Sequence, residues 1–108
     1  MGTGRSVVWT VQARRALEDV LSYVAADSPE GARKILSKAL DAGASLAKLS
    51  ERGRIVPELA DASIRELLIF RYRLLYQVTE HKVQILAFLH GARDFHQWRK
   101  DQEGEKAG

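Results

Sequence analysis

Apolar residues recur first at helical and then at alternating spacing along this chain, with a polar, glycine- and proline-bearing stretch over residues 50–63 between the two regimes. A short apolar run, Val7, Val8 and Trp9, comes first and reads as a strand, with Thr10 placed to cap a helix behind it. Leu17, Val20, Leu21 and Val24 then return every three or four positions, while Arg14, Arg15, Glu18 and Asp19 fall mostly on the other side. That spacing predicts an amphipathic helix of about four turns. The segment AADSPEGA breaks it: Ser28 can accept from free N–H groups, Pro29 suits a first helical position, and Glu30 favours the positive end of the dipole. A second helix comes next with Ala32, Ile35, Leu36, Ala39, Leu40, Gly43, Leu46 and Ala47 as its stripe, and the short connection predicts an antiparallel helical hairpin. Gly43 costs that helix about 1 kcal/mol relative to alanine, so its expected use is close packing.

Beyond residue 63 the period shortens to two. IRELLIF reads as a strand, Arg71 marks a bend, and YRLLYQVT puts Tyr72, Leu74, Tyr76 and Val78 on one face and Arg73, Leu75, Gln77 and Thr79 on the other. After the turn TEHK, VQILAFLH sets Val83, Ile85, Ala87 and Leu89 opposite Gln84, Leu86, Phe88 and His90. The three segments predict an antiparallel meander. A short N-terminal strand, a helical hairpin and then three strands give an α+β fold with the helices on one face of the sheet. DFHQWRKDQ is expected to be a short helix or strand extension. The whole reads as a single domain over 1–108, with an ordered core from about 6 to 100 and a flexible tail over 101–108.

Composition narrows the function classes. A chain of 108 residues with 45% hydrophobic and 29% charged positions can bury one core, and its apolar runs are too short to span a membrane. With no cysteine there is no disulfide framework, zinc ribbon or thiolate nucleophile, and a cytoplasmic location is expected. The formal net charge of +3 is unevenly spread. Residues 62–100 hold seven Lys/Arg against three Asp/Glu, an excess that can steer an acidic partner or a phosphate backbone. His81, His90 and His96 lack metal-ligand spacing and no phosphate-binding glycine loop is present, so neither a metal nor a cofactor is expected.

The strand YRLLYQV, the hairpin into VQILAFLH and the ending HGAR, arriving in this order behind LEDVLSYVAADSPEGA, resemble the toxins of the RelE/ParE superfamily of bacterial type II toxin–antitoxin systems. The similarity spans roughly residues 7 to 95, and the helical hairpin and HGARDF favour the ParE-like branch. The resemblance implies a compact toxin neutralised by a small cognate antitoxin, and it leaves two mechanisms open. A RelE-like toxin enters the ribosomal A site and cuts mRNA, whereas a ParE-like toxin poisons DNA gyrase without known hydrolysis. A third class is a degenerate member that binds antitoxin but is no longer toxic. The apolar stripes of the two helices exceed what one sheet face must cover, which leaves room for an antitoxin helix or strand.

Each mechanism assigns different work to the residues. For RNA cleavage, Arg73 and Arg93 match the family's arginines and would clamp the phosphate, with His90 as acid or base. The chain departs from that pattern: the preceding strand carries Arg65 and Glu66 but no lysine, and Phe95, His96 and Trp98 stand where a C-terminal tyrosine is usual. For gyrase poisoning, Arg65, Arg71, Arg73, Arg93 and Arg99 would dock on the target, and Arg93 and Asp94 could instead form a structural ion pair or contact the antitoxin. There are plainer roles too. His90 can be a hydrogen-bonded residue at a strand end, Tyr72 and Tyr76 core residues with polar tips, and Trp9 and Trp98 covers for the edges of the core.

Overall fold

The computed structural model describes residues 4–107. Strand β1 (Ser6–Trp9) leads into helices α1 (Val11–Asp27) and α2 (Pro29–Ser45), followed by strands β2 (Arg54–Ile55), β3 (Ile64–Ile69), β4 (Tyr72–Val78) and β5 (Lys82–His90) and helix α3 (Gly91–Ala107). The helical hairpin forms where its capping residues require. The Thr10 hydroxyl accepts from Ala13 N–H at 3.1 Å, and Ser28 ends α1 by donating its N–H to the Val24 carbonyl. Ser28 also opens α2 by accepting from Gly31 N–H at 2.9 Å, with Pro29 at the first helical position.

The strands form one five-stranded sheet in the order β1-β5-β4-β3-β2. β3, β4 and β5 are the expected antiparallel meander, while β1 pairs parallel to β5 and makes the sheet mixed. On one face α1 and α2 pack over Ile69, Leu74, Tyr76, Val83 and Ile85. Burying each Leu- or Ile-sized side chain there contributes roughly 1.5–3 kcal/mol. Gly43 has the packing role expected of it: a Cβ there would lie 3.2 Å from both Ile85 Cδ1 and Trp9 Nε1.

Four expectations change. First, β5 does not alternate throughout. Tyr76 pairs with Ile85 and Leu75 with Ala87, so Leu86 is an extra residue that reverses the faces. Val83 and Ile85 therefore share the helical-hairpin face with Phe88, while Ala87 and Leu89 turn to the other side. Second, that other side is also covered by a helix, since Val56, Leu75, Ala87 and Leu89 pack with Phe95 and Trp98 of α3. Third, the C-terminal element is a 17-residue helix, and the expected tail from residue 101 is helical through Ala107; Gly108 lies outside the described residues, as do Met1 to Thr3. Fourth, the irregular stretch 50–63 holds β2, two residues paired with β3 at Arg54↔Glu66 and Ile55↔Arg65.

Two corners bear on function. Gly91, with φ 80°, turns the chain from β5 into α3, which gives the HGAR segment a backbone reason for its glycine. Phe70 has φ 57° in the two-residue loop between β3 and β4. A bulky residue in that region costs roughly 1–3 kcal/mol. No helix among the described residues is long and apolar enough to cross a membrane.

Candidate functional site

The α3 face of the sheet carries a charged cluster built by strand pairing. Leu68 lies opposite Arg73 and Glu66 opposite Leu75, so Glu66 and Arg73 are diagonal neighbours on one face. Arg73 Nε donates to Glu66 Oε1 at 2.5 Å, and its two terminal nitrogens donate to the Glu58 carboxylate at 2.9 and 3.1 Å. Arg54 Nε donates to the other oxygen of Glu66 at 2.5 Å. The Arg73 guanidinium also lies 4.7 Å from the centre of the Phe95 ring. The Glu66 side chain is 1% exposed and that of Arg73 14%, so the cluster sits under α3 and the loop after β2.

The forked hydrogen bond from Arg73 holds the Glu58 carboxyl below its usual range, and Glu58 in turn raises Arg73. A carboxyl whose folded pKa is depressed contributes stability that is present above its unfolded pKa and lost as pH falls through the folded value. Acid titration of the folded chain should therefore show a loss of stability developing below about pH 4 that is smaller in Glu58→Gln. Thermal melts of both proteins between neutral pH and pH 3 check this; equal pH slopes would remove Glu58 from the account.

The other candidate residues are dispersed. His90 lies opposite Tyr72, and its ring centre is 5.0 Å from that of Tyr72 on the helical-hairpin face, whereas Arg73 lies opposite Leu89 on the α3 face. Arg93 is exposed on the first turn of α3. The sheet thus stands between His90 and Arg73, and the three residues of the cleavage reading are not gathered around one point. Arg93 and Asp94 form no ion pair; the Asp94 carboxylate accepts instead from His90 N–H at 2.9 Å and secures the start of α3. Arg65 donates to the carbonyls of Gly53 and Glu51, and Arg99 approaches Glu103 at 3.8 Å one helical turn on. Arg71 and Arg93 are exposed, and among the described residues their side chains make no hydrogen bond or ion pair. Of the five arginines proposed for docking, Arg65, Arg71 and Arg93 have no carboxylate partner among the described residues, and Arg71 and Arg93 also leave their donors unused.

Sequence reasoning missed Glu58, which comes from an irregular loop, and placed Glu66 as a charge that would repel RNA unless it served as the base, not as a partner of Arg73. The hairpin itself held the signal for Glu66. A two-residue loop at 70–71 fixes the pairing 68 with 73 and 66 with 75, and with it the Glu66–Arg73 diagonal.

The profile of the ParE toxin of type II toxin–antitoxin systems, parDE, matches residues 7–95. The chain belongs to the ParE toxin family. Solved relatives of this ParE-family chain share the fold. One is the chromosomal ParDE toxin–antitoxin system from P. aeruginosa, with TM-score 0.66 and 22% identity over 82% of this chain and 97% of that one. Another is the RelBE2 toxin–antitoxin complex from Mycobacterium tuberculosis, with TM-score 0.54 and 21% identity over 85% and 97% of the two chains. No curated protein matches the chain. The ParE-family match ends at Phe95, so most of α3, from His96 onward, lies beyond it.

Proposed function

We propose that this ParE-family toxin acts by docking on DNA gyrase and is neutralised by a cognate antitoxin, without cleaving RNA. The observation that carries this reading is the neutralisation of Arg73. Stabilising a cleavage transition state needs donors aimed at the phosphate and free to reach it. Arg73 is already committed to two carboxylates and an aromatic ring, and His90 is on the opposite face of the sheet. A docking toxin needs neither group as a proton relay; it needs shape and charge complementarity.

The antitoxin is inferred from the family and from the surface. Both solved relatives are toxin–antitoxin systems. Leu36 and Leu40 remain exposed on α2, as does Leu68 on β3, and an amphipathic antitoxin segment would cover such residues.

Production of the full chain in bacteria without antitoxin tests the reading. Filamentous cells with gyrase-dependent double-strand breaks are the expected result, and co-production of the antitoxin should abolish them. Rapid translation arrest with mRNA cut at the ribosomal A site would replace this reading with the nuclease. A folded protein with no growth defect would identify the degenerate class.

A further inference from the structure

The β3–β4 loop takes a conformation for which glycine is the natural choice, yet it holds phenylalanine. Positive φ at the first of two loop positions is where tight hairpin turns ordinarily place glycine, which reaches it without a Cβ clash. Phe70 occupies it with φ 57° and is 54% exposed. Burial therefore supplies only part of the compensation for a conformation that the side chain itself makes costly. Lys38 Nζ lies 5.1 Å from the centre of the ring, an exposed contact of small worth.

The surroundings are basic. Phe70 forms one wall of a shallow depression of about 540 Å³ whose charged lining is Lys34, Lys38 and Arg52 against Asp41. Arg71, unpaired, is the next residue and borders a second cleft that Phe70 also lines. An aromatic ring raised on a rigid hairpin tip, within a rim of cations, has the form of an interface anchor: one side chain that fills a recess while surrounding charges steer and align the partner.

We propose that Phe70 is the target-recognition knob of this toxin, entering an apolar recess on an acidic protein surface while Lys34, Lys38, Arg52 and Arg71 meet carboxylates around it. This rests on the reading that the toxin docks on gyrase, and it locates the docking surface at the β3–β4 tip and α2. A single-stranded nucleic acid is the less favoured occupant. Lys38 already covers one side of the ring on which a base would stack, whereas an apolar recess can take the ring by its free side and edge.

Phe70→Asn separates a recognition role from a structural one, because asparagine tolerates the left-handed region. Purified wild-type chain, Phe70→Asn, Lys38→Glu and, as a control on the far edge strand, Val8→Thr are each measured for binding to purified gyrase and for melting temperature. The wild type is expected to bind gyrase. Phe70→Asn should melt no lower than wild type and bind at least about tenfold more weakly. Lys38→Glu should slow association in a salt-dependent way, and Val8→Thr should bind as wild type. Unchanged binding by Phe70→Asn, or weakened binding together with a lowered melting temperature, overturns the knob and leaves the gyrase reading standing. Absence of wild-type binding overturns both. If wild type instead binds a labelled single-stranded oligonucleotide and Phe70→Asn does not, the surface belongs to nucleic acid and the proposal fails.

Discussion

Replacing Gly53 by alanine is expected to destabilise the folded chain by about 3 kcal/mol, the upper range for overpacking a tight site. A Cβ at this position would lie 2.5 Å from the Glu66 carbonyl oxygen and 2.6 Å from Tyr76 Oη. The first obstacle is backbone held in the β2–β3–β4 ladder, which cannot rotate away. The second is fixed as well: Gly53 N–H donates to Tyr76 Oη at 2.9 Å, and Tyr76 is fully buried, so its phenol is pushed up in pKa by burial. Relief of the clash must break that hydrogen bond, leaving a buried hydroxyl and an N–H unpaired. Urea denaturation of the two proteins measures the loss. Tyr76→Phe separates the contributions, since it removes the hydrogen bond without the clash and should cost about 1–2 kcal/mol. A Gly53→Ala variant as stable as wild type would mean that the loop between α2 and β3 moves freely, contrary to its ties to Tyr76 and Arg65.

The parts of the fold that could be read from the chain are those where one residue type serves one geometry. Thr10, Ser28 and Pro29 mark helix ends because few side chains can satisfy those free N–H groups, and β4 alternates because each of its faces meets a separate apolar cluster. What could not be read depends on pairing or on anchors too sparse to set a period. The Leu86 bulge reverses the faces of β5 without changing its composition, so strict alternation misassigned Ala87 through His90. β2 is two residues long and has no period. α3 is polar along most of its length and is held by Phe95 and Trp98, so its first half looked like a short element and its second like a tail. At the site, the arginines were legible as charges. Whether each charge is free or neutralised is a property of its neighbours in space, and four of the cations around Phe70 became a group only once α2, the β3–β4 loop and residue 52 came together.

The same distinction governs Arg73. Arg73→Ala is expected to destabilise the chain by roughly 3–5 kcal/mol, because it leaves the Glu66 carboxylate buried with only the largely exposed Arg54 as partner. Such a variant will lose toxicity under either mechanism, simply by unfolding, and so says nothing about chemistry alone. The double variant Glu66→Leu/Arg73→Met does. Removing both charges and filling their space with apolar atoms beneath Phe95 should restore most of the lost stability, since replacing a buried pair together is often neutral or better. Glu58, freed of its partner, remains partly exposed and can be hydrated. If the toxin docks on gyrase through the β3–β4 tip, the refolded double variant should arrest growth as wild type does. If Arg73 stabilises a phosphate in RNA cleavage, the double variant should be stable and inert, with a rate loss corresponding to about 3–4 kcal/mol of transition-state stabilisation. Melting temperature and growth arrest, read on the same three proteins, decide between a charge that holds the fold and a charge that does chemistry.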